Sequence, residues 1–418
     1  MRTSLPASAL ASIDARLAET DRLLATGYPG DDGARQPVHT VYVPGDTFTP
    51  ELPAAWGSAA LAAADAAGGV EALAVDVGIG ADVAAVVAPL VERKLAHEPV
   101  EDLRIDFEDG YGDRGDDVED ADVVRAAGHV ADASAEGAAP PFLGIRFKSF
   151  EAATRARGIR TLDLFVTALV ERGGLPEGLA LTLPKVSTLA QVEAMADAAA
   201  ALERAHGLPD GRLRFEVQVE TPQLVLGADG VATVARVAHA ASGRVAGLHY
   251  GTYDYSAALG IDASQQSLEH PAADHAKQVM QLAVAGTGIR LSDGSSNVLP
   301  VGGRAAEAWR LHARLVRRSL ERGFPQGWDL HPAQLPTRFI ATYAYYRDGW
   351  AEAAERLRHV HERTSGAVLD EPATVRALAG FVHRGVRCGA ITVDEVERDT
   401  GLDDAALAML ASPRRASG

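Results

Sequence analysis

Apolar and β-branched residues recur along the chain in eight short runs, and a polar residue or a glycine follows each run. Runs of this kind, bounded by turn residues, are typical of β-strands. Between the runs, apolar residues recur every three or four positions, as in 189–206 and 307–322, which indicates amphipathic helices. The eight candidate strands are residues 39–44, 103–108, 142–147, 179–184, 213–219, 245–250, 289–292 and 327–331.

The spacing of these runs predicts the architecture. After a longer first interval, they follow one another every ~30–40 residues, the length of one strand and one helix in a (β/α)8 barrel. An open, doubly wound sheet is the alternative. The eighth run and the lack of a glycine-rich phosphate loop after the first run disfavour it. We therefore predict an α/β protein built on a TIM barrel.

Helical patterns also occur before the first run and inside the long first interval. We predict a helix over 7–26, followed by a loop at 27–36 that is rich in glycine, proline and aspartate. A further helix over 83–97 would occupy part of the first interval.

The C-terminal part shows no further strand pattern and predicts a helical extension. Its expected helices cover 338–363, 371–387 and 392–411, with Thr392 or Asp394 as the N-cap of the last. The expected division is an N-terminal helix and loop (1–37), a catalytic barrel (38–337) and the helical extension (338–418).

Composition narrows the possible partners. The chain carries 57 Asp and Glu residues against 40 Lys and Arg residues, a formal net charge of -17. Nucleic-acid binding needs clustered cations, so this balance argues against it. The lone cysteine, Cys388, excludes an intramolecular disulfide and a multi-cysteine metal site. Without a signal-peptide pattern or a long apolar segment, we expect a cytoplasmic protein with no membrane partner.

Ionisable side chains follow most of the predicted strands. In a barrel, the carboxyl ends of all strands meet at one mouth, where active sites are built. Strand ends that have no functional role usually carry Gly, Asn or Ser, so ionisable residues at so many strand ends indicate a functional site. The residues are Asp106, Glu108, Asp109, Arg146, Lys185, Glu220, Asp254, Asp293 and His331.

Two of these carboxylates suit a hard metal ion. Glu220 and Asp254 end neighbouring strands, and carboxylate oxygens favour Mg²⁺ or Mn²⁺. Arg146 offers a planar fork for the carboxylate of a 2-oxo acid that chelates the metal. Such an arrangement stabilises an enolate of the pyruvate type. Alternatively, the two acids only cap helices or pair with Arg146 and Lys185.

The acidic segment after the second strand is a candidate for proton transfer. Strand side chains alternate in direction, so Asp106 and Glu108 share a face with Arg104, while Asp109 lies in the turn. Crowding of carboxylates raises their pKa values and suits general acid/base catalysis. Hydrogen bonding to neighbouring loops is the alternative.

At these residues the chain resembles the HpcH/HpaI aldolase and citrate lyase β-subunit superfamily, which includes malyl-CoA lyases and is related to malate synthases. The matching segments occur in the family's order and span about residues 38–335. They are Tyr42-Val-Pro-Gly45, Asp106-Phe-Glu-Asp109, Ile145-Arg-Phe147, Leu183-Pro-Lys-Val186, Val219-Glu-Thr-Pro222, 251–260 (GTYDYSAALG) and His331-Pro-Ala-Gln334.

The resemblance implies a barrel of the pyruvate/phosphoenolpyruvate type with a Mg²⁺ site, and carbon–carbon cleavage or condensation through a metal-bound enolate. It assigns the metal to Glu220 and Asp254. The chain departs from the family at Arg146-Phe-Lys-Ser149, at 292–296 and in its C-terminal helical part. The implied catalytic residues are Glu108, Asp109, Arg146 and Lys185, and the implied substrate-binding residues are Arg146, Gly251, Thr252 and His331.

Our hypothesis is a Mg²⁺-dependent lyase or aldolase that acts on a 2-oxo acid, with a CoA thioester as a further candidate substrate. We expect a homo-oligomer. A phosphoenolpyruvate- or pyruvate-type phosphotransferase and a non-catalytic assembly or binding subunit are the alternatives.

Overall fold

The computed structural model describes residues 4–362 and 371–412. Its eight strands are parallel and close into a barrel in sequence order, which confirms the predicted (β/α)8 fold. The strands are β1 (His39–Pro44), β2 (Asp102–Asp106), β3 (Phe142–Arg146), β4 (Leu179–Leu183), β5 (Phe215–Val219), β6 (Val245–Tyr250), β7 (Arg290–Ser295) and β8 (Gln326–Asp329).

Helices cover the outside of the barrel, one or more after each strand. The first interval holds three helices, α2 to α4, where the sequence predicted only one over 83–97. In chain order the helices are α1 (Ala7–Gly27), α2 (Leu52–Ala66), α3 (Val70–Asp76), α4 (Ala81–His97), α5 (Asp116–Ala135), α6 (Arg155–Glu171), α7 (Leu189–His206), α8 (Pro222–Val225), α9 (Thr233–Ala240), α10 (Thr252–Ala258), α11 (Pro271–Val284), α12 (Ala305–Glu321), α13 (Leu335–Glu362), α14 (Pro372–Arg387), α15 (Val393–Thr400) and α16 (Asp404–Ala411).

The apolar core lies between the strands and the helices. Outward-facing strand residues such as Val41, Ile105 and Leu181 are fully buried there. The interior of the barrel is polar instead, whereas branched apolar residues usually fill it. Arg104 donates to Asp102, to Glu216 at 2.6 Å and to Thr182 at 3.0 Å. These groups form a charged layer beneath the mouth.

The C-terminal part is joined to the barrel by one continuous helix. Helix α13 follows β8 and crosses the predicted boundary between 337 and 338. It does so because Leu335, Phe339 and Ile340 are buried against the barrel, so the helix that closes the eighth repeat also begins the extension. The division into 1–37, 38–337 and 338–418 stays a prediction.

The last predicted helix, 392–411, is two helices in the structure. Thr392 caps α15 and forms a capping box with Glu395, which confirms one of the two predicted N-caps. Gly401 then ends α15 with a φ of 75°, a left-handed conformation that glycine adopts without strain. Residue 363 of the first predicted helix, and residues 364–370 and 413–418 of the extension, lie outside the described residues.

In the described part of the chain, no single helix meets the length and composition of a membrane span. Only the bent pair of Leu52–Ala66 with Val70–Asp76 meets them, and only when taken together.

Candidate active site and metal centre

The strand register brings the predicted acids and bases to one mouth of the barrel. Asp106 pairs with Arg146 across β2 and β3, and Val219 pairs with Tyr250 across β5 and β6. The residues that follow these pairs therefore lie at the same level. Seven predicted residues meet there: Asp106, Glu108, Asp109, Arg146, Lys185, Glu220 and Asp254.

Lys185 lies among the carboxylates. Its Nζ donates to Glu108 and, at 2.7 Å, to Asp109, and it lies 3.8 Å from Oδ1 of Asp254. Its backbone N–H donates to Oε1 of Glu220 at 2.6 Å. A left-handed backbone, with φ at 52°, directs both donors to the cluster. Burial acts to lower the pKa of Lys185, but the charges of Glu108 and Glu220 outweigh it and raise the pKa.

Glu220 is a deeply buried carboxylate of the mouth. Burial raises its pKa to about 7, although Lys185 and Arg146 act in the opposite direction. The charge of Asp254 contributes to this rise, so the two predicted metal ligands lie within electrostatic reach of each other. Burial therefore disfavours the ionised form of Glu220, and a cation bound beside it would favour that form.

Asp254 and Gly251 complete this side of the mouth. Asp254 lies in the first turn of α10, with its side chain 45% exposed. A Cβ added to Gly251 would lie 2.4 Å from Cβ and 2.6 Å from Oε2 of Glu220. The glycine is therefore needed for the position of Glu220, a role that the sequence analysis, which predicted substrate binding, did not foresee.

These residues fit a magnesium ion. Mg²⁺ is usually held by only one or two protein carboxylates, with water and substrate supplying the other oxygens. Among the described residues, no group of three or more His, Cys, Asp or Glu side chains is arranged as a complete metal site. The buried Glu220 and the half-exposed Asp254 are therefore a suitable pair for an open Mg²⁺ site and unsuitable for a closed site such as structural zinc.

Arg146 is already bonded on one side. Its Nε and Nη2 donate to Asp106 at 2.7 and 2.6 Å, and its guanidinium lies 4.7 Å above the centre of the Tyr42 ring. Nη1 lies 3.4 Å from Oε2 of Glu108. Nε and Nη2 are thus occupied by Asp106, whereas Nη1 has only its contact with Glu108, so the Nη1 end of the fork is the part that a substrate carboxylate would use. Asp106 and Tyr42 thus orient Arg146, and the sequence analysis assigned neither of them this role.

The two carboxyl groups of the acidic turn, Glu108 and Asp109, have opposite pKa shifts. Burial raises the pKa of Glu108, against the charges of Arg146 and Lys185. Burial acts in the same direction on Asp109, but its hydrogen bond from Lys185 outweighs that effect and lowers the pKa. Two neighbouring carboxyl groups with opposite pKa shifts are the arrangement expected of an acid and its ionised partner.

Three further polar residues are bonded to groups outside this cluster. Thr252 donates to the backbone oxygen of Ser295 at 3.4 Å, and Nδ1 of His331 accepts from the backbone of Ala333 at 3.1 Å. Asp293 accepts from Lys277 at 3.0 Å and from Ser319 at 2.5 Å. These bonds give each side chain a structural role, and substrate binding by Thr252 and His331 stays a prediction.

A cavity of about 270 Å³ lies at the opposite end of the barrel, between the loop that precedes β1 and helix α14. Gln36, Arg290, Pro325 and Arg384 are among the residues that line it. It contains none of the predicted site residues.

Residues 17–415 match the model of the family described as domain of unknown function DUF6986. No curated protein matches the chain in sequence. Among solved structures, a citrate lyase from Burkholderia xenovorans LB400 is 19% identical, with a TM-score of 0.59, over 88% of this chain and 97% of that chain.

Two complexes of Haloferax volcanii malate synthase have the same architecture. The lead(II) complex is 14% identical, with a TM-score of 0.50, over 91% of this chain and 89% of the other. The magnesium and glyoxylate complex is 13% identical, with a TM-score of 0.50, over 90% of this chain and 88% of the other. At these identities the likeness establishes the fold, and it confirms the resemblance predicted from the sequence.

Proposed function

The chain belongs to the DUF6986 family, and we propose that it is a Mg²⁺-dependent carbon–carbon lyase or aldolase that acts on a 2-oxo acid. One observation carries the proposal. Glu220 and Asp254 lie at one mouth with the Nη1 end of Arg146 and with Glu108, a carboxyl group that lies 3.4 Å from Nη1 and has a raised pKa. The barrel therefore offers oxygen ligands, a carboxylate clamp and a proton donor or acceptor in one place.

A Mg²⁺ ion held by Glu220 and Asp254 would polarise the oxygens of a 2-oxo acid and stabilise the negative charge that develops on them. Mn²⁺ has the same ligand preference and is the alternative ion. The complex of Haloferax volcanii malate synthase with magnesium and glyoxylate, itself a 2-oxo acid, supports this class of substrate on this fold.

The chain's own residues then bind the substrate and move a proton. The Nη1 end of Arg146 binds the substrate carboxylate, and Asp106 keeps the guanidinium plane fixed by its two hydrogen bonds. Glu108 holds a proton at a pH at which Asp109 is ionised, so it is our candidate for proton transfer. Lys185 neutralises the ionised Asp109 and limits the repulsion among the acids.

The first test is metal binding. Glu220→Gln and Asp254→Asn should each remove most Mg²⁺ affinity in calorimetry and leave the thermal unfolding transition of the fold in place. Glu307→Gln is the matched control, because Glu307 is an exposed carboxylate that pairs with Arg304 and with none of the cluster residues. Unchanged Mg²⁺ affinity in both site variants would refute the assignment.

The second test is turnover. A set of 2-oxo acids is incubated with Mg²⁺ or with EDTA, alone and with aldehydes or acyl-CoA thioesters, and pyruvate release or consumption is followed. The proposal expects Mg²⁺-dependent turnover that Glu220→Gln abolishes. Turnover that requires a nucleotide indicates a phosphotransferase, and metal binding without turnover of any 2-oxo acid indicates a binding or assembly subunit.

A further inference from the structure

The N-terminal helix α1 has an apolar face that nothing covers. None of its 21 residues is buried, although it carries four long apolar side chains on one side. Leu10, Ile13, Leu17 and Leu24 are each 46–49% exposed. Water contacts this stripe in a single copy of the chain, which costs free energy that burial against a partner would recover.

The spacing of the stripe is that of a coiled coil. Leu10, Ile13, Leu17 and Leu24 occupy alternating a and d positions of a seven-residue repeat, with Thr20 at the remaining d position. Two helices pair along such a seam. Helix α1 has 21 residues and is about 32 Å long at 1.5 Å per residue. It is therefore longer than the ~12–15 residues below which isolated helices are marginally stable in water.

The charged residues beside the apolar stripe favour pairing with a second copy of α1, and they favour a parallel over an antiparallel orientation of the two helices. Asp14 and Asp21 lie on one flank of the face, at e positions, and Arg16 lies on the other flank, at a g position. In a parallel pair, a g residue meets the e residue five positions later on the other helix, so Arg16 would meet Asp21 of the partner subunit. An antiparallel pair would bring the two acidic flanks together, and like charges disfavour it.

We propose that α1 pairs in parallel with α1 of a second copy of this chain. A membrane surface is a poorer match, because helices that lie on membranes carry mainly Lys and Arg on their polar face. Here Asp14, Glu19 and Asp21 outnumber Arg16 and Arg22.

The attachment of α1 keeps this contact away from the proposed active site. The chain after α1 is fixed to the barrel where Gly30 donates to the backbone oxygen of Gly286 at 2.8 Å, and Tyr28 contacts the ring of His239 at 5.3 Å. Gly286 precedes β7, at the end of the barrel opposite to the mouth. Pairing through α1 therefore leaves the mouth of each copy open.

The oligomeric state of the full-length chain tests the proposal. By light scattering after gel filtration at tens of micromolar, we expect an even multiple of 43.8 kDa. Leu17→Glu should halve that mass. Ala15→Glu introduces the same charge on the opposite side of α1 and should leave the mass unchanged. A native chain of 43.8 kDa, or an unchanged mass in Leu17→Glu, would overturn the proposal.

A charge exchange tests the direction of pairing. Arg16→Asp and Asp21→Arg should each raise the dissociation constant by about tenfold, since each replaces an attraction by a repulsion on both sides of the seam. The double variant should regain the native dissociation constant. Failure of the double variant to recover it would rule out the parallel arrangement. Unchanged far-UV circular dichroism of the single variants shows that their folds are intact.

Discussion

The substitution Gly251→Ala should move the buried carboxylate of Glu220 without removing it. The added methyl group would lie 2.4 Å from Cβ of Glu220, whereas carbon atoms in contact are ~3.5–4.0 Å apart. The overlap therefore exceeds 1 Å. It involves the base of the Glu220 side chain as well as its flexible end, so rotation of the carboxylate alone does not relieve it. The ends of β5 and β6 must separate, or Glu220 must leave its position.

The backbone itself does not oppose this change. Gly251 has a φ of -96°, which alanine adopts readily, and its N–H keeps its bond to the backbone oxygen of Val219 at 3.0 Å. Overpacking of this kind costs about 1–3 kcal/mol of stability. Displacing the support of a metal ligand typically lowers metal affinity by about 10–100-fold. We therefore expect a folded variant with a modestly lower melting temperature and weak Mg²⁺ binding.

Mg²⁺ affinity is measured by calorimetry and the melting temperature by thermal unfolding, both on the same preparations. The two measurements separate the loss of metal binding from the loss of stability. Gly303→Ala is the matched control, because a Cβ at Gly303 has no heavy atom within 4 Å and its φ is not positive. If Gly251→Ala binds Mg²⁺ as tightly as the native chain, then the position of Glu220 does not determine metal binding, and the proposed ligand pair is wrong.

Three further predictions concern the neighbouring groups. Without metal, the raised pKa of Glu220, about 7 against 4.5 in the unfolded chain, gives stability that is present below pH 4.5 and is lost as the pH rises through 7. Thermal unfolding in EDTA should show this loss in the native chain and not in Glu220→Gln, and equal pH profiles would contradict it. Arg146→Lys should weaken oxalate or pyruvate binding by about 1.5–3 kcal/mol, because a point charge lacks the planar fork, and unchanged affinity in titrations would place the carboxylate clamp elsewhere. Of Glu108→Gln and Asp109→Asn, the first should lower kcat by about 10²–10⁴-fold with oxalate affinity nearly intact. If both variants lose metal and oxalate together, the pair only supports the metal site.

The sequence predicted the position of a residue correctly where that position depends on a single strand. The acids at the end of the predicted run 103–108, and Asp109 after it, could be placed at the mouth because strand direction alone determines that position. Contacts between strands are different, since they depend on the register of the barrel. For this reason the pair of Arg146 with Asp106, and the contact of Gly251 with Glu220, could not be predicted.

Neither residue type nor hydrophobic periodicity indicated two other features, the left-handed backbone of Lys185 and the helices α2 and α3. The left-handed backbone of Lys185 is a conformation that lysine rarely adopts, so nothing in its type indicated it. Helices α2 and α3 were missed because their stretch is rich in alanine and lacks a clear polar face. By contrast, the alternation of charged and apolar residues from Asp102 to Asp106 was visible in the sequence. It marks the polar interior of the barrel.

That charged interior restricts how the protein is able to evolve. Arg104, Asp102 and Glu216 are held together at depth, and His249 reaches Glu216 at 3.2 Å. Removing one member of a buried ion pair costs about 3–5 kcal/mol, a large part of the ~5–15 kcal/mol that stabilises a typical domain. Single substitutions in this layer are therefore expected to be costly, and substitutions of both partners together are expected to be tolerated better. We expect new substrate preferences in this family to arise from changes in the loops around the mouth. We expect the charged layer beneath the mouth to change more slowly.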